Sequence, residues 1–226
     1  MLLHIERVLT EGQVAHCRAL LETAKWVDGR ETSGHLAARV KHNRQVDEAT
    51  PEAREMGNII ISALERTPLF MAAALPLRVF PPLFNRYEPG MAFGNHVDNA
   101  IRELTASPLR VRTDLSATLF LSAREEYEGG ELVVDDTYGA HQVKLAPGDM
   151  ILYPASSLHR VNPVIRGVRL AAVFWVQSMV RDDGERSLLF DLDMAIAQMS
   201  EATPGSPGIL ALTSCYHNLL RRWSDT

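Results

Sequence analysis

Apolar residues in the N-terminal third of the chain recur at helical spacing. Thr10 and Gln13 have the spacing of a capping box, in which each side chain satisfies a backbone N–H at the start of a helix. A second periodic stretch follows Thr50 and Pro51, and proline is tolerated at the first position of a helix. The first helix would bury Val14, Cys17, Leu20, Leu21 and Ala24. These patterns predict an N-terminal helical support region over residues 1–76.

Short runs rich in β-branched and aromatic residues fill residues 77–180, and turn-forming residues separate them. The predicted strands are Leu77–Glu88, Val111–Ser122, Glu131–Asp135, His141–Leu145, Asp149–Tyr153, His159–Val164 and Val168–Met179. The turns between them contain Glu88–Gly90, Gly129–Gly130, Thr137–Gly139, Pro147–Asp149 and Arg166–Gly167. Many short strands without helical patterns between them favour an antiparallel sandwich or barrel, and a two-layer core of this kind resembles a jelly roll.

Helical spacing returns in residues 181–226, which predicts a C-terminal helical tail. The segment Pro204–Pro207 divides this tail into two helices. Leu212, Leu219 and Trp223 would form an apolar face that either packs on the core or joins two copies in a homo-oligomer. The whole pattern predicts an α+β fold. Its core, residues 77–180, would be a double-stranded β-helix (jelly-roll, cupin-like), with helices packed on it from both ends of the chain.

The composition is that of an ordinary folded protein. A chain of 226 residues with 46% hydrophobic and 23% charged residues is not expected to be disordered. Its net charge of -5 argues against nucleic acid as a partner. Cys17 and Cys215 form no C-x-x-C pair, so we expect reduced thiols. The N-terminal residues show no basic region followed by an apolar stretch, so we expect no secretory signal and a cytoplasmic location. No apolar run approaches the ~18 residues of a membrane-spanning helix, so we expect no membrane partner.

The pair His96 and Asp98 is the strongest candidate for chemistry. On an extended segment, residues two positions apart face the same side, so an imidazole and a carboxylate there can reach one metal ion. A second histidine from another strand would complete the 2-His-1-carboxylate triad that suits non-haem Fe(II). The motif is weak alone, since a similar pair, His4 and Glu6, occurs near the N-terminus. That pair lies outside the strand-rich region, and we expect His4 to be a surface residue.

Three later histidines are candidates for the third ligand. His217 falls in the helical tail, away from the predicted β core. His141 begins a strand after a turn, where a partly exposed position is the simpler interpretation. His159 follows a buried strand and a loop that deliver it to the start of the next strand, which favours it as the ligand.

Arg169 lies on the strand after His159, beyond the Arg166–Gly167 turn. Adjacent antiparallel strands joined by a tight turn place such residues near each other. A guanidinium is a permanently charged fork for a carboxylate, so a cation beside a metal with open positions suits a dicarboxylate co-substrate.

These residues, taken in order, carry a resemblance to a known family. The pattern is Tyr87-x-x-Gly90-x-x-Phe93-x-x-His96-x-Asp98, followed by Gly129–Leu132, Pro147–Asp149, His159–Val164 and Arg169. It resembles the prolyl-4-hydroxylase-like branch of the Fe(II)/2-oxoglutarate dioxygenases. The segments Arg39–Asn43, Phe84–Tyr87 and Arg112–Ser116, with the helical tail, are similar to the bacterial PKHD-type hydroxylases associated with iron uptake. Animal prolyl hydroxylases commonly have lysine where this chain has Arg169, and either cation can hold a carboxylate.

The resemblance implies roles for five residues. His96, Asp98 and His159 would ligate Fe(II), and Arg169 and Tyr87 would bind 2-oxoglutarate. The enzyme would hydroxylate an unidentified substrate, a protein side chain, siderophore or metabolite, with dioxygen as the oxidant and release of succinate and CO2. L-ascorbate would restore iron oxidised in uncoupled turnover. The residues Asn95 and Asn99 flank the metal pair and would contact co-substrate, substrate or neither.

Two other functions remain open from the sequence. A cupin-like non-redox metal enzyme would use the same barrel, but it would leave Arg169 without a purpose. A non-catalytic sensor would bind iron or 2-oxoglutarate without turnover, and an intact triad with its cation argues against it.

Overall fold

The computed structural model describes residues 1–32, 37–104 and 108–225 of the chain. Within these residues the α-helices are α1 (Glu11–Thr23), α2 (Pro51–Glu65), α3 (Pro68–Ala74), α4 (Asp183–Ala202) and α5 (Pro207–Trp223). Short 3-10 helices span Gly29–Thr32, Ala37–Arg39 and Arg124–Glu126.

Four short strands precede α2, and the remaining strands lie between α3 and α4. In chain order they are β1 (Leu3–Ile5), β2 (Trp26–Asp28), β3 (Lys41–His42), β4 (Arg44–Val46), β5 (Pro76–Val79), β6 (Leu83–Tyr87), β7 (Ala92–His96), β8 (Ile101–Glu103), β9 (Arg110–Arg112), β10 (Leu115–Phe120), β11 (Tyr127–Gly129), β12 (Leu132–Asp136), β13 (Gly139–Val143), β14 (Met150–Pro154), β15 (His159–Val161), β16 (Val164–Gly167) and β17 (Arg169–Ser178).

Two antiparallel sheets face each other and form the predicted jelly-roll core. The larger sheet has the order β1-β14-β10-β17-β6-β4-β2, with β5 paired to β17, and the smaller has the order β13-β12-β15-β7-β3. Tyr87, Phe120 and Tyr153 of the larger sheet pack with Val134 and Val161 of the smaller sheet in one buried cluster. Two short ribbons, β8-β9 and β11-β16, accompany the sheets. The α+β fold class and its jelly-roll core are confirmed.

The N-terminal helices cover the outer face of the larger sheet. Leu21, Ile60 and Phe70 come from α1, α2 and α3, and they pack in one buried cluster with Leu119 and Phe174 of the sheet. The predicted capping box is present at the start of α1, where the Gln13 N–H donates to the Thr10 hydroxyl and the Thr10 N–H donates to the Gln13 side chain. The helix expected after Thr50 is also present, with proline at its first position.

The N-terminal region is less purely helical than its sequence pattern predicts. Strands β1 to β4 lie in it, and they extend both sheets by pairing with β14, β6 and β7. Strands of two or three residues are too short to show a period of two, so only their partners stabilise them. The division of the chain into residues 1–76, 77–180 and 181–226 stays a prediction.

Two predicted strands are each divided in the structure by proline. The run Leu77–Glu88 becomes β5 and β6, separated by Phe80–Pro82, and the run His159–Val164 becomes β15 and β16, separated at Asn162–Pro163. Proline has no N–H to donate to a ladder, which explains why pairing stops at these points.

The two C-terminal helices pack against each other and against the end of the core. Leu219 and Trp223 of α5 contact the buried cluster of Leu75, Val180 and Leu189. Leu212 is half-buried, and no residue of α5 is fully buried. The described residues contain no helix that is long and apolar enough to cross a membrane.

Candidate active site

Two neighbouring strands of the smaller sheet bring three polar side chains together. His96 ends β7, Asp98 follows two positions later, and His159 begins β15. The antiparallel register places His159 opposite His96. One ligand atom from each of the three residues lies within 4.8 Å of the others.

Both imidazole rings are held by backbone carbonyl groups. His96 Nδ1 lies 2.8 Å from the Gly94 carbonyl oxygen, and His159 Nδ1 lies 3.0 Å from that of Ser157. A carbonyl only accepts, so each Nδ1 carries the proton and each Nε2 presents a lone pair. These Nε2 atoms lie 4.0 and 3.7 Å from the Asp98 carboxylate oxygens. Three donor atoms therefore surround one point.

Neighbouring side chains orient the three residues of the triad, and burial favours the neutral form of His96. The Ser116 hydroxyl of β10 donates to Asp98 Oδ2 across 2.6 Å. The His96 ring stacks on Phe93, with ring centroids 3.5 Å apart. Burial, followed by the neighbouring His159, holds the pKa of His96 well below its usual range, which favours the neutral ring that a metal requires.

A second feature, a buried arginine, lies on the larger sheet. Arg169 begins β17, is paired in register with Tyr87 of β6, and is 1% exposed. Its guanidinium lies 5.3 Å from the ring centroids of both Tyr87 and Phe120. Its Nε atom has no partner among the described residues, and Arg169 forms no ion pair with a carboxylate of those residues. A buried charge left in this state is costly, and an anionic ligand would remove the cost.

One cavity connects the triad to this arginine. Its lining includes His96, Asp98, His159, Arg169 and Tyr87. Burial raises the pKa of Tyr87, which keeps its phenol protonated and able to donate a hydrogen bond. Two neutral imidazoles and a carboxylate suit Fe(II), and an arginine with an unsatisfied Nε suits a carboxylate. The residues present therefore fit a ferrous ion and a dicarboxylate together.

The other candidate histidines lie elsewhere. His141 Nε2 lies 2.9 Å from Asp136 at the end of the β12-β13 hairpin, and His217 is exposed on α5. His4 contacts Asp149, whose other oxygen accepts from the Arg7 N–H.

The two flanking asparagines differ in position. Asn99 lines the cavity, whereas the side chain of Asn95 accepts from Arg160 across 3.4 Å.

Sequence patterns gave no site role to several residues that line the cavity, among them Ser116, Lys41, Arg102 and Trp175. Ser116 falls in a segment singled out only for its resemblance, and no spacing rule connects it to Asp98. The contact arises because β10 of one sheet faces the end of β7 of the other.

Comparison with known proteins gives matches over the whole chain. Residues 82–177 match the 2OG-Fe(II) oxygenase superfamily, and residues 183–225 match the PKHD-type hydroxylase C-terminal domain. Over 226 residues, covering 100% of both chains, this chain is 60% identical to a PKHD-type hydroxylase of Burkholderia lata. It is 58% identical, with the same coverage, to a PKHD-type hydroxylase of Methylobacterium nodulans.

A solved structure is similar in fold. The prolyl-4-hydroxylase of Pseudomonas putida superposes with a TM-score of 0.52 at 19% identity, covering 78% of this chain and 92% of that one.

Proposed function

Because this chain belongs to the PKHD-type hydroxylases of the 2OG-Fe(II) oxygenase superfamily, we propose that its cavity is the active site, with Fe(II) at His96, Asp98 and His159. Arg169 and Tyr87 bind 2-oxoglutarate in this proposal. The observation that carries it is the buried Arg169, which forms no ion pair with the described residues and lies in the same cavity as the histidine–aspartate cluster.

Membership of the family makes the protein a hydroxylase that uses Fe(II), with 2-oxoglutarate and dioxygen as co-substrates. When bound, Fe(II) supplies open coordination positions and the redox chemistry that couples oxidation of 2-oxoglutarate, to succinate and CO2, with hydroxylation.

The chain's own residues orient the ligands of the metal. The carbonyls of Gly94 and Ser157 hold the protons of the two imidazoles at Nδ1, so both Nε2 atoms stay available. Ser116 occupies one oxygen of Asp98 and limits rotation of the carboxylate. Such partners raise the affinity and selectivity of a metal site because the ligands need not reorganise on binding.

Arg169 and Tyr87 then position the co-substrate. The guanidinium pairs with the distal carboxylate of 2-oxoglutarate, and the phenol of Tyr87 donates to the same group. Leu132 and Val161 line the cavity together with these polar groups. Their apolar side chains exclude water, which strengthens the pairing between charges.

Two finer features, L-ascorbate as the reductant and the link to iron uptake, rest on the family resemblance and stay predictions. A cytoplasmic location and a homo-oligomer through the C-terminal helices were inferred from the sequence itself and also stay predictions. Of the three residues of the predicted apolar face, Leu219 and Trp223 contact the core, and Leu212 is half-buried.

The test of this function is oxygen-dependent conversion of 2-oxoglutarate to succinate by the Fe(II)-loaded protein. The wild type is expected to form succinate slowly without a prime substrate, and Asp98→Ala is expected to form none above background. His141→Ala removes a histidine outside the cavity and serves as the matched control. Binding of Fe(II) and 2-oxoglutarate without any succinate, in a broad substrate panel, would instead indicate a sensor.

A further inference from the structure

Asn43 lies where the chain crosses from one sheet to the other. It separates β3, which extends the smaller sheet, from β4, which extends the larger sheet. Asn43 is 3% exposed, and Asn85 of β6 is 4% exposed. Burying an amide costs free energy unless its polar atoms are paired, so two buried amides at this crossing indicate a task beyond filling the core.

Contacts on two sides fix the orientation of the Asn43 amide. Its Nδ2 donates to Asn85 Oδ1 across 3.3 Å. Its Oδ1 lies against Gly29, where an added Cβ would overlap that oxygen, and the Gly29 N–H donates to the Asn43 backbone carbonyl across 3.1 Å. The missing side chain of Gly29 makes room for the amide oxygen, and the NH2 group therefore faces β6.

Asn85 connects Asn43 to the proposed co-substrate site. Asn85 and Tyr87 are two positions apart on β6, so their side chains share one face of the strand, and both line the cavity. Asn43 itself is outside the described lining of this cavity. It can therefore act on a ligand there only through these two side chains.

The phenol of Tyr87 responds to the Asn43 amide. Burial raises the pKa of Tyr87, whereas Arg169 and a hydrogen bond with the Asn43 side chain act in the opposite direction. An amide NH2 group has two protons, and the bond to Asn85 uses one of them. A bond from the second N–H to the phenol oxygen would stabilise the phenolate, which agrees with this direction.

We propose that Asn43 donates its second amide N–H to the Tyr87 oxygen and thereby directs the phenol's own O–H toward the distal carboxylate of 2-oxoglutarate. A phenol carries one proton, and an amide oxygen in the same place would accept it and withdraw it from the ligand. Asn43 is thus a positioning residue that acts through Tyr87. This inference rests on the proposed function, which places 2-oxoglutarate against Arg169 and Tyr87.

A double-mutant cycle tests the coupling between Asn43 and Tyr87. Calorimetry with Mn(II)-loaded protein measures 2-oxoglutarate affinity in Asn43→Ala, in Tyr87→Phe and in the double variant. Asn43→Leu keeps the size of the side chain and replaces the alanine variant if that variant folds poorly. Gln177→Ala is the matched control, because Gln177 is a buried amide that accepts from Arg78 and lies outside the described lining of the cavity.

A second pair of variants displaces the Asn43 amide without removing it. Gly29→Ala introduces a Cβ where the amide oxygen lies, so it is expected to lower 2-oxoglutarate affinity as Asn43→Ala does. Gly12→Ala is its control, because no atom lies within 4 Å of the added Cβ at that position.

Asn43→Ala and Tyr87→Phe are each expected to lower 2-oxoglutarate affinity about 3- to 10-fold. In the Tyr87→Phe background, Asn43→Ala should change the affinity by less than about 2-fold, because the phenol through which it acts is gone. A merely structural role would give equal effects of Asn43→Ala in both backgrounds, or none in either, and both results would overturn the coupling. Failure of the wild type to bind 2-oxoglutarate, or unchanged affinity in Tyr87→Phe, would instead overturn the proposed function of the site, so the two failures are distinguishable.

Discussion

Ser116 Oγ donates a hydrogen bond to Asp98 Oδ2 across 2.6 Å. The bond joins the centre of the larger sheet, through β10, to the end of β7 in the smaller sheet. It holds the carboxylate near the Nε2 atoms of both histidines.

Replacing this serine is expected to weaken the metal site selectively. Ser116→Ala should lower Fe(II) affinity about 10- to 100-fold, because the carboxylate loses the partner that orients it. Anaerobic Fe(II) titration measures the change. Ser122→Ala is the matched control, since the Ser122 hydroxyl forms hydrogen bonds with the backbone of Val168 and Leu170. Equal affinities in the two variants would show that Ser116 has no positioning role.

Removing the buried guanidinium of Arg169 is expected to lower the affinity for 2-oxoglutarate and to leave the affinity for the metal unchanged. Arg169→Gln should reduce 2-oxoglutarate affinity about 10- to 100-fold, because it removes a charge-assisted pair with the distal carboxylate. Arg169→Lys should lose less, since it keeps the charge. Calorimetry with Mn(II)-loaded protein provides the measurement, and Arg166→Gln is the control, because that side chain is 78% exposed. Metal affinity that falls in parallel would contradict the assigned role.

Gly130, the second glycine of the Gly129–Gly130 turn, is expected to be needed for the position of the Arg169 side chain. Gly130 has φ +66°, and an added Cβ would lie 3.2 Å from Arg169 Cδ and 2.9 Å from Val164. Gly90 has φ +84° and open space around its Cβ position. Both alanine variants therefore lose roughly 1–2 kcal/mol of stability through backbone strain, but only Gly130→Ala should also weaken 2-oxoglutarate binding. Denaturant unfolding and calorimetry separate the two effects, and identical calorimetry for both variants would contradict the expectation.

The parts of the fold that repeat a pattern are predictable from the sequence. Helices α1 and α2 follow from caps and apolar spacing, and β17 follows from a long apolar run, Leu170–Val176, that contains two aromatic and two β-branched residues. The pair His96 and Asp98 could also be predicted as metal ligands from the sequence, since residues two positions apart on an extended segment share a face. His159 could be favoured because of the buried strand and loop that precede it.

The remaining features depend on contacts between distant segments. Nothing local marks Ser116 as a partner of Asp98. The inward orientation of Lys41 and Arg102 reverses the apolar pattern around them, so hydrophobicity predicts the wrong face for both. Strands β1 to β4 are short enough that only their pairing partners determine them.

The two cysteines are expected to differ sharply in reactivity. Burial, with a smaller contribution from Glu55, raises the pKa of the Cys17 thiol to about 11, whereas Cys215 is exposed. Only the thiolate reacts, so at pH 8 the native protein should show one fast thiol with a colorimetric reagent and two after denaturation. Cys215→Ser should abolish the fast phase. A fast phase of two thiols in the native protein would show that α1 does not bury Cys17.

Anaerobic titration with Fe(II) tests the convergence of His96, Asp98 and His159 most directly. The account predicts one tight site per chain in the wild type and in His4→Ala and His141→Ala, whose histidines lie outside the cavity. It predicts loss of that site in His96→Ala and in His159→Ala, with circular dichroism showing that both variants remain folded. Retention of one tight Fe(II) site in either of these last two variants would contradict it.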